Sequence, residues 1–144
     1  METIQNQYFE GERPLYARHG LRLENVVFGP GESALKEGSD FEADGCEFKG
    51  KYPFWECKNV VVRNCIFRDG ARAALWYSKG CKMYDSLVEA PKMFRRITDT
   101  YLENVQLTNA QETFWDCDGV KLRNVEAPGG HGLGLLGLDD HSCS

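Results

Sequence analysis

The sequence is short of several things, and each shortage excludes something. No run reaches 18 apolar residues, so no segment reads as a membrane-spanning helix. The opening stretch METIQNQYFEGERPLYARHG holds no apolar core, so no signal peptide is legible and a cytoplasmic location is the expectation. Basic residues are the minority: 17 Lys and Arg stand against 22 Asp and Glu, a net charge of −5. That balance supplies no basic stripe for a phosphate backbone, so neither nucleic acid nor membrane is expected as a partner. The six cysteines form no CxxC pair, and with three histidines they make no cluster of zinc spacing. No metal or other cofactor is expected, and the thiols are expected to be reduced. Hydrophobic residues make up 42% and charged residues 27% of 144 residues, which excludes disorder and leaves room for one domain with a proper core.

What the sequence does have is a repeat. One block recurs as IQNQYF (4–9), LENVVF (23–28), ADGCEF (43–48), VRNCIF (62–67), MYDSLV (83–88), LENVQL (102–107) and LRNVEA (122–127). Its middle column reads Asn6, Asn25, Gly45, Asn64, Asp85, Asn104, Asn124, at spacings of 19, 20, 19, 21, 19 and 20. A second column, Gly11, Gly31, Gly50, Gly70, Ala90, Ala110, Gly130, admits only the smallest residues. A third reads Leu15, Leu35, Phe54, Leu75, Phe94, Phe114, and another Phe41, Val60, Cys81, Thr100, Val120.

Helical repeats need longer periods and a 3.6-residue pattern. Here the pattern is two: Leu21 and Leu23 alternate with Arg22 and Glu24, and Val120 and Leu122 with Lys121 and Arg123. A leucine-rich repeat shares the period but wants Asn after its strand leucines and a helical outer half. The corresponding segments here, PFWEC, ALWYS and TFWDC, read as strand. The expectation is all-β: a single right-handed parallel β-helix of about six rungs of 19–21 residues over 1–127. Rungs about 4.8 Å apart give a rod roughly 29 Å long. Residues 128–144 form a Gly-rich tail.

The segments GERPLYA (11–17), GESALKE (31–37), KYPFW (51–55), GARAALWYS (70–78), APKMFRR (90–96) and AQETFWDC (110–117) together resemble a bacterial family, DUF3737, from residue 1 to about 128. The resemblance implies a right-handed parallel β-helix of the pectin-lyase-like kind, a grouping of polysaccharide lyases, glycoside hydrolases and non-catalytic binders. It implies no particular activity. The family continues through further rungs, whereas here the tail keeps Gly130 in column and has Gly134 where a Phe-like residue is due. The tail is either a truncated or frame-shifted end, or a Gly-rich cap. A last rung without cover would expose strand edges and invite self-association there.

The Asn and Gly/Ala columns read as structural: an amide ladder and a tight corner. Cys46 with Cys65, Cys57 with Cys117, and Cys81 fall in interior columns and read as small core residues. The column after the inward Leu/Phe reads Tyr16, Lys36, Trp55, Trp76, Arg95, Trp115. Its cations require it to face outward. The next column holds Glu37, Glu56, Tyr77, Arg96 and Asp116. The candidate binding residues are therefore Trp55, Glu56, Trp76, Tyr77, Arg95, Arg96, Trp115 and Asp116. Flat aromatic faces at rung spacing can present a platform to sugar rings, and the polar column can bond hydroxyls or carboxylates. The same residues can also form a self-satisfied ladder with Arg95 between Trp76 and Trp115. The two readings are compatible.

Catalytic residues are not identified. Lys92, Arg95, Arg96 and Asp99 share one rung but lack a supporting Asp cluster. Glu56 and Asp116 lie three rungs apart, roughly 14 Å, too far for a hydrolase pair. Glu112 and Asp116 are the nearest alternative. The functional expectation is a non-catalytic binding or scaffold module whose aromatic and basic face meets a carbohydrate or a protein. The alternative is a polysaccharide-active enzyme, a lyase or glycoside hydrolase, inactive if truncated.

Overall fold

A computed structural model describes residues 1–109 and 117–126. It is an all-β solenoid of about six turns, with no α-helix among the described residues. The strands are β1 (Glu2–Gln5), β2 (Tyr8–Glu12), β3 (His19–Glu24), β4 (Val27–Glu32), β5 (Ser39–Asp44), β6 (Glu47–Phe48), β7 (Lys58–Arg63), β8 (Ile66–Phe67), β9 (Lys79–Val88), β10 (Thr98–Leu107) and β11 (Asp118–Glu126). Every pairing between them is parallel. The first wall stacks β1, β3, β5, β7, β9, β10 and β11 in that order. The second stacks β2, β4, β6 and β8 onto the far half of β9, which runs through the corner unbroken, as do β10 and β11.

The repeat columns are the vertical lines of this stack. Leu21 pairs with Phe41, Phe41 with Val60, and Val60 with Cys81. All four are buried, and so are Leu23, Ala43, Val62, Met83 and Leu102 two positions on. The residues between them, such as Arg22, Glu42 and Lys82, face out, as period-two patterning requires. On the second wall Phe9, Phe28, Phe48 and Phe67 stack face to face, with centroids 5.6, 5.2 and 4.7 Å apart and planes within 19°. Phe54 of the third side tilts against both Phe48 and Phe67 at 5.1 and 6.3 Å, so the rings weld two sides of the core.

The corner between the walls is the Asn column. Asn6, Asn25, Asn64, Asp85, Asn104 and Asn124 all sit in the left-handed region at φ 50–55°, and Gly45 joins them at 67°. Asn and Asp tolerate that conformation better than other non-glycine residues, which explains the column. The amides also bond along the axis: Asn124 Nδ2 donates to Asn104 Oδ1 at 2.6 Å, Asn104 to Asp85 at 3.1 Å, and Asn64 to Asp44 at 3.4 Å. The ladder is broken at Gly45, where an added Cβ would lie 2.6 Å from Asn25 Oδ1.

The Gly/Ala column is a close-approach corner. A Cβ on Gly31 would sit 2.0 Å from the Gly11 carbonyl oxygen, one on Gly50 2.6 Å from that of Gly31, and one on Gly70 2.4 Å from that of Lys49. Gly11 and Gly31 also have positive φ. A further column, Gly20, Asp40, Asn59, Gly80, Asp99 and Gly119, is left-handed throughout and is one the repeat analysis passes over. Asn59 Nδ2 donates to Asp40 Oδ1 there at 3.2 Å.

Truncating the middle of the ring stack is the sharpest test of the core. Phe48→Ala is expected to lower unfolding free energy by about 3–5 kcal/mol, read from urea denaturation, because the cavity lies between two rigid rings that cannot collapse into it.

Candidate functional site

The third side of each rung carries the aromatic and basic residues. It lies between the Gly corner and the next first-wall strand, and it is built from alternating left-handed residues. Arg13, Ser33, Tyr52, Ala73 and Lys92 form one such column; Ala17, Glu37, Glu56, Tyr77 and Arg96 form another, at φ 50–61°. The reason is hydrogen bonding along the axis. The N–H of each second-column residue donates to the neighbouring rung's carbonyl: Ala17 to Lys36, Glu37 to Trp55, Glu56 to Trp76 and Tyr77 to Arg95, at 2.8–3.0 Å. Leu15, Leu35, Phe54 and Leu75 do the same at 2.8–3.1 Å. Their side chains point inward and are buried, which turns the intervening Tyr16, Lys36, Trp55, Trp76 and Arg95 outward.

The predicted outward column is therefore real in the described rungs, and its rings touch. Trp55 and Trp76 lie 5.2 Å apart at 31°. Tyr52 meets Trp55 edge-on at 4.9 Å, and Tyr77 packs against Trp55 at 5.4 Å and Trp76 at 6.4 Å. Arg95 places its guanidinium 5.0 Å above the Trp76 ring, and Arg96 lies 5.8 Å from that of Tyr77. Such cation–π contacts contribute about 0.5–1 kcal/mol where exposed. Trp76 Nε1 donates to the Lys92 carbonyl at 2.6 Å, and Trp55 Nε1 to Glu56 Oε1 at 3.0 Å. Both tryptophans are half-buried, while Tyr77 is 44% exposed. Trp55, Trp76 and Arg95 stack on one another across successive rungs, and the Trp115 side of the expected sandwich lies outside the described residues. Arg95 Nε is buried and has no hydrogen-bond partner among the described residues. Trp115 and Asp116, with the Glu112 pairing, lie outside the described residues, as does the whole tail 128–144.

Beside this cluster runs a shallow groove of about 590 Å³, lined by Trp55, Glu56, Lys58, Tyr77 and Lys79. It brings together three predicted residues and two that sequence reasoning missed. Lys58 and Lys79 stand directly opposite each other in the β7–β9 ladder, an arrangement that like charges disfavour. The signal was present, since both occupy one column of the repeat. Lys79 lies 4.0 Å from Asp99. Elsewhere, outward cations are cradled by carboxylates: Arg22 by Glu24 and Glu42 at 2.6 and 2.9 Å, Arg68 by Glu47 and Glu89 at 3.3 and 3.4 Å. Of the grouping Lys92, Arg95, Arg96 and Asp99, Arg95 lies over the Trp76 ring and Arg96 beside that of Tyr77, while Asp99 sits in a left-handed corner column 4.0 Å from Lys79.

A second groove, about 480 Å³, follows the Asn corner past Asn64, Asp85, Asn104 and Asn124, with Ile66 and Leu87 on its wall. Its amides bond one another. Among the described residues no cluster of three or more His, Cys, Asp or Glu is placed to hold a metal ion.

The model of a family described as "Protein of unknown function (DUF3737)" matches residues 2–137. A comparison with curated proteins finds no match. Among solved structures, full-length QnrB1, described as a plasmid-mediated fluoroquinolone resistance protein, is similar at 15% identity and a TM-score of 0.34, with 93% of this chain and 97% of that chain covered. A trypsin-treated form of QnrB1 is similar at 13% identity and a TM-score of 0.33, with 93% and 95% covered.

The cysteines are core residues, as their columns predict: Cys46, Cys57, Cys65 and Cys81 are buried free thiols, and Cys117 is half-buried. Burial pushes the Cys57 and Cys81 thiols up to about 12. At pH 8 a thiol reagent is expected to leave these four unmodified in the native protein and to reach all of them in urea. The unfolded chain releases the Cys57 and Cys81 protons near the ordinary value of 9.0, while the native chain keeps them. Stability is therefore expected to fall as pH rises from about 9 towards 12, read from urea midpoints at pH 8 and 10.5.

Proposed function

The chain belongs to the DUF3737 family, and from that premise we propose that it is a non-catalytic binding module whose aromatic and basic face takes a carbohydrate chain. The observation that carries this reading is the groove beside Trp55 and Tyr77. The ring of Tyr77, the most exposed of the cluster, offers an apolar platform to one face of a sugar ring, with Trp55 supplying the adjoining wall. Glu56 is set to accept from hydroxyls, and Lys58 and Lys79 to donate to hydroxyl or carboxylate oxygens. Trp76 packs on Trp55 from the next rung, and Arg95 and Arg96 of the rung after lie over Trp76 and Tyr77, contacts that lower the ordering cost of binding. A protein partner on the same face is the competing occupant, and the test below separates them.

Purified protein is applied to an array of neutral and acidic oligosaccharides, and any hit is titrated by calorimetry. Binding is expected, with Trp55→Ala and Tyr77→Ala each weakening it about tenfold at unchanged circular dichroism. An array without a hit, or an affinity that survives both substitutions, overturns the reading.

A further inference from the structure

The first rung differs from the others in the residues that occupy its interior columns. Glu2 stands over Leu21, heading the column that continues through Phe41, Val60 and Cys81. Gln7 heads the column of Val26, Cys46 and Cys65, because Val27 N–H donates to the Gln7 carbonyl as Glu47 N–H does to Val26 and Ile66 N–H to Cys46. Arg18 heads the column of Gly38, Cys57, Ser78 and Ile97, fixed by Ser39 N–H donating to its carbonyl and by the same bond in each later rung. The residues named below these three are buried, yet Glu2 and Gln7 are exposed and Arg18 is half-exposed. Two of the three also meet: Arg18 Nη2 bonds Glu2 Oε1 at 2.9 Å, joining the first and last inward positions of one rung.

We propose that Glu2, Gln7 and Arg18 form a polar stopper that keeps this end of the solenoid from pairing with a second copy of the chain. Among the described residues no strand pairs with the outer edges of β1 and β2, which are a template for another strand. A strand added there buries whatever occupies the interior columns. Here it would desolvate a carboxylate, a guanidinium and an amide with no partners on the incoming side. The last described strand differs: the inward residues of β11 are Val120, Leu122 and Val125. An exposed ion pair adds little to folding stability, so the stopper acts on association and not on the fold.

The full chain, the double variant Glu2→Leu/Arg18→Leu and the charge swap Glu2→Arg/Arg18→Glu are compared by sedimentation velocity over a hundredfold concentration range, with circular dichroism on each. The leucine variant is expected to at least double its weight-average mass relative to the unsubstituted chain at the top concentration. The swap is expected to sediment as the unsubstituted chain does. A leucine variant that sediments unchanged overturns the proposal, and so does a folded swap that associates. Should the leucine variant lose its β signal, Gln7→Leu decides: association supports the stopper, and unchanged sedimentation overturns it.

Discussion

One constraint governs this molecule: each rung hydrogen-bonds in parallel, and nearly in register, to the rung about 20 residues before it. Every side chain therefore sits over its counterpart in the previous rung, and the chemistry of the protein is decided column by column. Aromatic columns stack, as in Phe9–Phe28–Phe48–Phe67. Amide columns bond end to end, as in Asp85–Asn104–Asn124. Charged columns pair opposite signs in places, as where Arg22 meets Glu42, and stack like signs in others, as where Glu12 meets Glu32 and Glu24 meets Asp44. The Lys58–Lys79 stack is a like-charge pair of cations, and it lies in the groove beside the aromatic face.

The register is held at a conformational cost. Left-handed residues recur at several corners of each rung, and most are not glycine. The left-handed region costs an ordinary residue roughly 1–2 kcal/mol. On the third side that cost is offset by turning successive N–H groups along the axis, so that a wall with no conventional strand still pairs with its neighbours. The aromatic face depends on this device. Tyr77 and Glu56 are both left-handed, and their geometry swings Trp55 and Trp76 into ring contact across adjacent rungs.

How much of this was legible follows from the same logic. Columns with one chemical requirement show through composition: Asn at a left-handed corner, Gly at a close approach, Phe and Leu inside. The outward turn of Trp55 and Trp76 was also legible, because Lys36 and Arg95 share their column. The Arg13, Ser33, Tyr52, Ala73, Lys92 column was not, since its requirement is on φ alone and is met by backbone bonding whatever the side chain. Lys58 and Lys79 were overlooked because each is unremarkable alone, and only their stacking gives them meaning. The polar heads of three interior columns were hidden in the same way, because a repeat search scores agreement and passes over the rung that departs from it.

The constant register also shapes how the chain reaches this structure. Closing one rung on its predecessor always spans a loop of about 20 residues, so the entropic cost of each step is nearly the same along the whole rod. No step must wait for distant segments to meet. Structure can nucleate at any pair of rungs and grow like a zipper in both directions, with the ring stack between Phe28 and Phe67 the natural seed. The same one-dimensional connectivity means that local opening passes from each rung only to its immediate neighbours.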